Sequence, residues 1–319
     1  MGLTPHAIRK PDSAQTALGV GRRAESTPVQ GEPNPIVSED AADKSTATAF
    51  ASSWNNVRAG SVYTEAQFID WMSPLTRGDL KDADVLELGY GNGSLLVHAA
   101  ACAPRRLAGV ELGDTAEVAL ENLRGFAITP ELIKGDLCDV DLGPFDVVYC
   151  IGVLHHLKDP KRGFQSLLRH TRPGGRFHAW VYGREGNGVV IALVDPLRRI
   201  ASRLPWWFTK YLIAGPLVTP YFLWARATEG AASKWPGLRG LLESFPLYEY
   251  TRWIAPREFW FFHHVAFDQL VTPRTRYFRE REVRDLLGHP EVETESIYVI
   301  QRNGNSWKFG GRKREVVPQ

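Results

Sequence analysis

A short aliphatic run that breaks into three closely spaced glycines constrains the fold of this 319-residue chain more than any other feature. The stretch extends from Val85 to Leu96 and reads VLELGYGNGSLL. Aliphatic residues before the glycines predict a buried strand, and the apolar spacing after them predicts a helix. A glycine turn between a strand and a helix binds nucleotide-like ligands in doubly wound sheets. The ligand of such a turn is a dinucleotide, a nucleoside triphosphate or a molecule without phosphate.

Short apolar runs alternate with amphipathic helical patterns between residues 85 and 182. The runs predict five strands, at residues 85–88, 107–112, 132–134, 145–150 and 176–182. After a long interruption, a helical pattern precedes two further predicted strands, at residues 294–301 and 306–309. Strands that alternate with helices are typical of a parallel α/β sheet. We therefore predict an α/β fold with a Rossmann-like, doubly wound, mostly parallel seven-stranded sheet.

The interruption is an aromatic-rich segment after the fifth predicted strand. Residues 187–265 are rich in Trp, Leu and Pro and show helical patterns without a clear strand, which predicts a helical substrate cap. Its aromatic side chains either line an apolar pocket or form the core of the cap itself. Residues 1–46 lack apolar periodicity and predict a disordered tail. Residues 47–186 are the predicted ligand-binding core, which residues 266–319 complete.

Charge, cysteine usage and hydropathy exclude several classes of protein. The formal net charge is +2, so no global attraction to nucleic acid or to an anionic membrane is expected. The three cysteines lack the spacing of a metal site or a disulfide framework, as is typical in a reducing compartment. The first forty residues contain no apolar signal segment, and the apolar stretch at residues 212–224 is too short for a bilayer. We predict a cytoplasmic protein without a transmembrane segment.

The residues within the glycine turn discriminate among the possible ligands. Ser94 stands where a dinucleotide fingerprint has its third Gly or Ala, which disfavours NAD. No Gly-Lys-Ser/Thr follows the turn, which excludes a P-loop for triphosphates. Glu87, directly before the turn, would repel a pyrophosphate and suits a ligand that carries an ammonium group.

Two further acids end the next two predicted strands. Glu111 can accept hydrogen bonds from the two hydroxyls of a ribose, a device that NAD enzymes also use. Asp136 can accept a hydrogen bond from the exocyclic amine of adenine, with the backbone of Leu137 beside the ring. Together with Glu87, these residues predict an adenosine attached to a positively charged group without phosphates.

These segments resemble the class I S-adenosylmethionine-dependent methyltransferases, whose first-strand motif is acid-x-Gly-x-Gly-x-Gly. ELGYGNG matches that motif, with Tyr90 as a departure, since Cys, Ala or Thr is commoner there. GVELGD and KGDLCD match the ribose and adenine segments, with Glu111 and Asp136 in the acid positions. FDVVYCIGVLHHLKDP and LLRHTRPGGRFHAWVYG look like the fourth and fifth strands of the small-molecule branch. The resemblance covers roughly residues 54–183.

The resemblance implies S-adenosylmethionine as the cofactor and a small-molecule methyl acceptor as the substrate. It implies methyl transfer to O, C or N of a small molecule. The aromatic residues of the cap suggest that this molecule is hydrophobic or aromatic, such as a secondary metabolite or a lipid-like compound. The implied cofactor-binding residues are Glu87, Gly89, Tyr90, Gly91, Gly93, Glu111, Leu112, Asp136, Leu137 and Cys150. A non-catalytic S-adenosylmethionine-binding subunit stays open as an alternative, and an NAD(P)-dependent oxidoreductase is a weaker one.

The reacting side is defined less sharply. The fourth strand ends without the Asn/Asp-Pro-Pro-Tyr signature of nucleic-acid amino methyltransferases, so no nucleic-acid partner is predicted. Candidates for a base or a substrate contact are His155, His156, Tyr182 and His264. Adjacent histidines occur at His155–His156 and at His263–His264. Neighbouring side chains diverge in a helix or a strand, so neither pair chelates a metal ion and no metal site is predicted.

Two charged groups near the cap offer further contacts. The cap aromatics, together with Arg198, Arg199, Arg203 and Lys210, suit a peripheral contact with a membrane surface. A polar substrate group could be held by Asp268, Arg274, Arg276 and Tyr277, unless these residues only begin a solvated helix. The sequence does not define the oligomeric state.

Overall fold

A seven-stranded sheet forms the centre of the computed structural model, which describes residue 48 and residues 63–244, 248–272 and 274–315. Its strands are β1 (Asp84–Leu88), β2 (Arg106–Glu111), β3 (Glu131–Lys134), β4 (Phe145–Ile151), β5 (Thr171–Tyr182), β6 (Tyr298–Arg302) and β7 (Ser306–Arg312). The order is β3-β2-β1-β4-β5-β7-β6, with β1 to β5 parallel and β7 antiparallel to β5 and β6. The predicted doubly wound, mostly parallel sheet is confirmed. The predicted tail lies outside the described residues.

Two strands begin more than one residue away from the predicted position. β5 begins at Thr171 rather than at residue 176, because Thr171 pairs with Phe145 across an irregularity in the β4–β5 register. β6 begins at Tyr298 rather than at residue 294, because Thr294–Ser296 forms a 3₁₀ turn. Both differences lie at the amino ends of strands, so the carboxyl ends of β1 to β5 meet at one edge as expected.

Five helices accompany the parallel strands: α1 (Glu65–Met72), α2 (Arg77–Leu80), α3 (Leu96–Ala100), α4 (Ala116–Asn122) and α5 (Pro160–His170). α1 begins with a capping box, in which the Thr64 hydroxyl accepts from the Gln67 N–H at 3.3 Å and the Thr64 N–H donates to Gln67 Oε1 at 2.8 Å. α5 begins with Asp159 as its N-cap and Pro160 in the first turn, where a missing N–H costs nothing.

Alternate strand residues enter two apolar clusters on opposite faces of the sheet. Leu86 of β1 and Val148 of β4 belong to the first cluster. Val85 and Val147, their neighbours along the same strands, belong to the second cluster together with Trp71 of α1. Because both faces are covered, the strands read as nearly continuous apolar runs. The direction of a strand side chain therefore follows from its place in the period of two.

The segment after β5 is mainly helical in its described part. It contains α6 (Gly188–Ala201), α7 (Trp206–Phe208), a π-helical turn (Thr209–Ala214), α8 (Gly215–Lys234), α9 (Pro236–Glu243), α10 (Tyr248–Ile254) and α11 (Phe259–Val271). Phe222 and Phe262 anchor one apolar cluster within this cap, and Phe267 and Leu270 anchor another. The predicted cap boundary at residue 265 falls inside α11. The division into domains therefore stays a prediction.

The last segment returns to the sheet. α12 (Glu280–Leu287) packs Val283, Leu286 and Leu287 into the first apolar cluster of the sheet. β6 and β7 then extend the sheet beyond β5 as an antiparallel pair. Among the helices in the described part of the chain, none is long and apolar enough to cross a membrane.

Gly109 of β2 provides a test of the packing beneath the glycine turn. A Cβ at residue 109 would lie 2.7 Å from Cδ1 of Tyr90 and 3.2 Å from Cδ1 of Leu96. Gly109→Val should therefore lower the free energy of unfolding by about 1–3 kcal/mol through overpacking. In chemical denaturation, the double variant Tyr90→Ala/Gly109→Val should lose less unfolding free energy than the two single variants lose together. If the two losses of unfolding free energy are additive, Tyr90 does not pack against Gly109.

Candidate active site

One cavity of about 530 Å³ lies at the carboxyl ends of the parallel strands and extends beneath the cap. Ten of the predicted site residues line it: Glu87, Gly89, Tyr90, Gly91, Glu111, Leu112, Asp136, Leu137, His156 and Tyr182. Side chains of α6, α8, α10 and α11 line the opposite end. The two groups of residues that the sequence assigned to cofactor and acceptor therefore share one continuous space.

The backbone conformation favours glycine at all three positions of the turn, and the steric surroundings differ among them. All three have positive φ angles, of 86° at Gly89, 55° at Gly91 and 80° at Gly93, which favour glycine. A Cβ at Gly89 would lie 2.3 Å from Cγ2 of Val153, and one at Gly93 would lie 3.0 Å from Cβ of Ala119. A Cβ at Gly91 would meet no atom within 4 Å, although Gly91 lines the cavity. A side chain there would enter the space that a ligand needs.

Glu87 lies at the floor of the cavity, where it is 1% exposed. Its Oε2 accepts a hydrogen bond from the Tyr149 hydroxyl at 2.9 Å. Burial raises the pKa of the Glu87 carboxyl to about 8, although the Tyr149 hydrogen bond opposes this shift. A positively charged ammonium group beside Glu87 would stabilise its carboxylate form, so the residue fits a cationic ligand.

Glu111 joins the turn after β1 to the end of β2. Its Oε2 accepts from the Gly91 N–H at 3.0 Å, and its Oε1 accepts from the Gly113 N–H at 2.9 Å. Burial raises the pKa of Glu111, whereas these backbone hydrogen bonds lower it. Each carboxylate oxygen has a second lone pair, so an oriented Glu111 can still accept from two ribose hydroxyls.

Asp136 and Leu137 follow β3 at the adjacent edge of the cavity. Oδ1 of Asp136 accepts from the Cys138 N–H at 2.8 Å, which fixes the carboxylate in a local turn. The side chain of Leu137 is buried, and its carbonyl accepts from the Ser166 hydroxyl of α5. An acid beside an apolar side chain suits a flat, hydrogen-bonding ring such as adenine.

Comparison with known proteins assigns this arrangement to a family. Residues 86–179, which hold the glycine turn and both later acids, match the family model described as a methyltransferase domain. The chain carries a class I S-adenosylmethionine-dependent methyltransferase domain. Its cofactor is S-adenosylmethionine. The cationic amino acid end of this cofactor fits Glu87, and its adenosine fits the pair Glu111 and Asp136.

Several known proteins are similar to parts of the chain. A ubiquinone biosynthesis O-methyltransferase of Thiobacillus denitrificans is 31% identical over 123 residues, which are 37% of this chain and 53% of the relative. A tRNA U34 carboxymethyltransferase of Nautilia profundicola is 30% identical over 117 residues, 34% of this chain and 37% of the relative. An O-methyltransferase family structure from Burkholderia thailandensis has a TM-score of 0.46 and 13% identity, covering 83% of this chain and 60% of that one. The chain spans about half, or less, of the length of the curated relatives it matches.

Two of the four predicted reacting residues line the cavity of the methyltransferase domain. Nδ1 of His156 lies 2.9 Å from the Arg274 carbonyl oxygen, so this nitrogen carries the proton and donates it. Burial lowers the pKa of His156 to about 4, so its ring is neutral at neutral pH. Burial raises the pKa of the Tyr182 hydroxyl, so this group is protonated.

Three other predicted residues lie behind the cavity wall. His155 is fully buried, and its ring centroid lies 4.2 Å from those of both His156 and Tyr182, so it packs against the lining residues. His264 of α11 is buried with its Nε2 3.5 Å from Oδ2 of Asp268. Cys150 points to the opposite face of the sheet, because the neighbouring Ile151 faces the cavity. None of these three side chains lines the cavity, and their predicted roles at the site stay predictions.

Gly93 also lies outside the cavity lining, because α4 packs against it. Its backbone faces Ala119 of α4, as the close approach of a Cβ there shows. The ring of Tyr90 packs beneath the turn over Gly109, although the residue still borders the cavity. Arg276 forms a surface ion pair with Glu282 at 2.7 Å instead of facing a substrate.

Asp268 of α11 is the acceptor-side residue that the sequence weighed only for a polar contact. It lines the cavity, and its Oδ1 is buried without a hydrogen-bond partner among the described residues. Burial raises the pKa of Asp268 well above its ordinary value. The pKa of Tyr63 is raised by burial and then by the nearby charges of Asp268, Tyr182 and Glu87. The sequence signal for this role is that Asp268 is the one acid in a helix of mostly apolar residues.

No group of three or more His, Cys, Asp or Glu side chains suited to a metal ion occurs in the described part of the chain.

Glu87 predicts a proton release on cofactor binding. Its carboxyl, with a pKa of about 8, is largely protonated at pH 7, and a ligand ammonium group would drive it to the carboxylate form. Calorimetric titrations with S-adenosylhomocysteine at pH 7, in buffers of different ionisation enthalpy, should show net proton release. Glu87→Gln should bind more weakly and without this release. Glu117→Gln, an exposed acid of α4, should behave as the unmodified protein does.

The same residue predicts how the stability of the cofactor-free protein changes with pH. The folded-state pKa of Glu87 lies above its ordinary value of 4.5, so its contribution to stability is lost as the pH rises toward 8. Between pH 5 and pH 8, the free energy of unfolding should therefore fall more steeply for the unmodified protein than for Glu87→Gln. Identical slopes would contradict the buried, protonated carboxyl.

Proposed function

We propose that this protein transfers a methyl group from S-adenosylmethionine to O, C or N of a small hydrophobic or aromatic molecule in the cytoplasm. The observation that carries this proposal is the continuous cavity of about 530 Å³ that joins the acids of the methyltransferase domain to the apolar interior of the cap. A cofactor and an acceptor in one continuous cavity can be aligned for in-line transfer, which is the main contribution an enzyme makes to such a reaction.

In this proposal the core residues hold the cofactor. Glu87 binds its ammonium group, Gly89 and Gly91 allow it to approach the backbone, Glu111 binds the ribose, and Asp136 with Leu137 binds the adenine. The bound cofactor supplies a methyl group on a positively charged sulfur. The residues beyond the turn then exclude water from that methyl group and direct the acceptor toward it.

The acceptor end of the cavity is lined mainly by apolar and aromatic side chains, with Asn187, Asp268 and Gln269 as polar residues beside them. The apolar and aromatic residues are Val189, Val190, Leu193, Val194, Leu217, Val218, Tyr221, Tyr250, Trp253, Phe261, Phe262, Val265 and Ala266. Such a lining favours a hydrophobic or aromatic acceptor, because a polar one would lose its hydration without new partners. The ubiquinone biosynthesis O-methyltransferase relative supports O-methylation as one such reaction.

A nucleic-acid acceptor is the second candidate, since one relative is a tRNA U34 carboxymethyltransferase. The apolar lining of the cavity favours the small molecule, because a nucleotide brings phosphates that require Lys, Arg or backbone N–H partners. Transfer to a small lipophilic acceptor is therefore the function that we propose.

Asp268 is the proposed proton acceptor for an acceptor hydroxyl. A carboxylate whose pKa is raised is a stronger base than one with the ordinary value, and Oδ1 of Asp268 has no competing hydrogen bond in the described structure. His156 is a weaker base, because its pKa is about 4. His156 and Tyr182 instead provide neutral hydrogen-bonding groups beside the acceptor.

Formation of S-adenosylhomocysteine with a panel of lipophilic phenols, hydroquinones and amines tests the proposal. Turnover should be found for at least one phenol or hydroquinone and should rise as the pH rises through the raised pKa of Asp268. Asp268→Asn should lower kcat by about 10²–10⁴-fold and remove this pH dependence, with unchanged affinity for S-adenosylhomocysteine.

Asp285→Asn is the matched control, because Asp285 is an exposed acid on α12 far from the cavity lining. It should retain both the rate and the pH profile. A protein that binds the cofactor but releases no S-adenosylhomocysteine with any acceptor would instead be a non-catalytic binding subunit. Tight NAD binding in place of S-adenosylmethionine would contradict the whole assignment.

A further inference from the structure

The exposed apolar side chains of the described residues are concentrated on the cap. Fourteen large hydrophobic residues are exposed, and twelve of them lie between residues 189 and 260. These are Val189, Leu193, Ile200, Trp207, Tyr211, Leu212, Leu217, Leu223, Trp224, Trp235, Leu241 and Trp260. Scattered apolar residues are normal on a protein surface, but a concentration in one segment indicates an interaction surface. Four tryptophans among them are typical of a surface that meets a membrane interface.

Three of these residues lie on helix α6, where they form an apolar stripe with Pro196. Val189, Leu193, Pro196 and Ile200 are exposed and recur at intervals of three or four residues, which places them on one face of the helix. Arg199 and Arg203 are exposed at the end of this stripe. A helix with an apolar face and flanking basic side chains is the pattern of an element that lies in the plane of a membrane interface.

The same stripe borders the entrance of the cavity. Val189 and Leu193 of α6 and Leu217 of α8 line the cavity and are also exposed on the surface. Leu193 is 68% exposed, so much of its side chain faces outward. We infer that the cavity opens at these residues of α6 and α8, onto the apolar surface of the cap.

The charge of the cap favours a lipid surface over an apolar protein partner. Residues 188–265 contain nine Lys and Arg and five Asp and Glu, which gives this segment a net charge of +4 in a chain of net charge +2. Exposed basic residues on it include Arg199, Arg203, Arg226, Lys234 and Arg239. Arg198, by contrast, is buried and donates to the Gln269 carbonyl at 2.6 Å, so it belongs to the interior. Basic residues beside exposed tryptophans and leucines complement an anionic bilayer.

We propose that the outer face of the cap docks onto an anionic lipid bilayer and opens the cavity directly to the lipid phase. The protein lies on the membrane, since no helix in its described part is able to span one. This inference rests on the proposed methyltransferase function and narrows its substrate class to acceptors that are dissolved in the membrane. The acceptor passes from the bilayer between α6 and α8 to the space beside Asp268.

Co-sedimentation with lipid vesicles tests the docking surface. The full chain should bind vesicles of phosphatidylcholine with phosphatidylglycerol, should bind those of phosphatidylcholine alone more weakly, and should dissociate progressively as salt is added. Ile200→Glu and Trp207→Glu replace residues that are 62% and 50% exposed and lie outside the cavity lining. Each should weaken vesicle binding by about tenfold or more, because an apolar contact is replaced by a charge of the same sign as the lipid.

Two exposed hydrophobic residues outside the cap provide matched controls. Ile69→Glu and Leu120→Glu change residues that are 46% and 48% exposed on α1 and α4, and they should leave vesicle binding unchanged. Calorimetric titration with S-adenosylhomocysteine should give the same affinity for all four variants, which shows that each is folded. Arg199→Glu/Arg203→Glu provides a second pair of cap changes that leaves the apolar residues intact, and it should also weaken binding.

Several outcomes would overturn the docking surface without affecting the proposed function. One is a protein that binds S-adenosylhomocysteine but no vesicle of either composition. Another is equal loss of vesicle binding in the cap and control variants. A third is a dimer in sedimentation equilibrium that Ile200→Glu dissociates, with no binding to vesicles, since the face would then join two copies of the chain. If the unmodified protein does not bind S-adenosylhomocysteine, this result instead contradicts the proposed function.

Discussion

The hydrogen bond from the Gly91 N–H to the Glu111 carboxylate joins the ends of two neighbouring strands, and the site depends on it. Parallel pairing of β1 with β2 brings the glycine turn beside Glu111, and the carboxylate then holds the turn through its N–H. The positive φ of Gly91 leaves the cavity open above this contact. One interaction therefore orients an acid for a ribose and keeps space for the ligand that carries it.

Burial determines the chemistry of the remaining polar groups. Glu87 and Asp268 are carboxyls in surroundings that favour their neutral forms, and they lie at the core end and the cap end of one cavity. The first is suited to a cationic cofactor group, and the second to an acceptor proton. In the proposed function, the cap helices that bring Asp268 into the cavity also align the acceptor and exclude water.

The strands, the glycine turn and its acids were predictable because their signals are local, whereas the cap side of the site depends on tertiary packing. Cys150 and Ile151 are both apolar in a strand covered on both faces, so only the register shows which one faces the cavity. His155 and His156 are adjacent in a 3₁₀ turn, and the contact of His156 with a distant carbonyl distinguishes them. The role of Asp268 emerges only when α11 folds over the sheet.

A crystal structure of the complex with S-adenosylhomocysteine tests the central claim most directly. The account predicts the ribose hydroxyls within hydrogen-bond distance of Glu111, the adenine amine on Asp136 and the ammonium group beside Glu87. The sulfur atom should face the apolar space beneath the cap, near Tyr182 and Asp268. A ligand bound away from the glycine turn, or oriented with its sulfur away from the cap, would contradict the account.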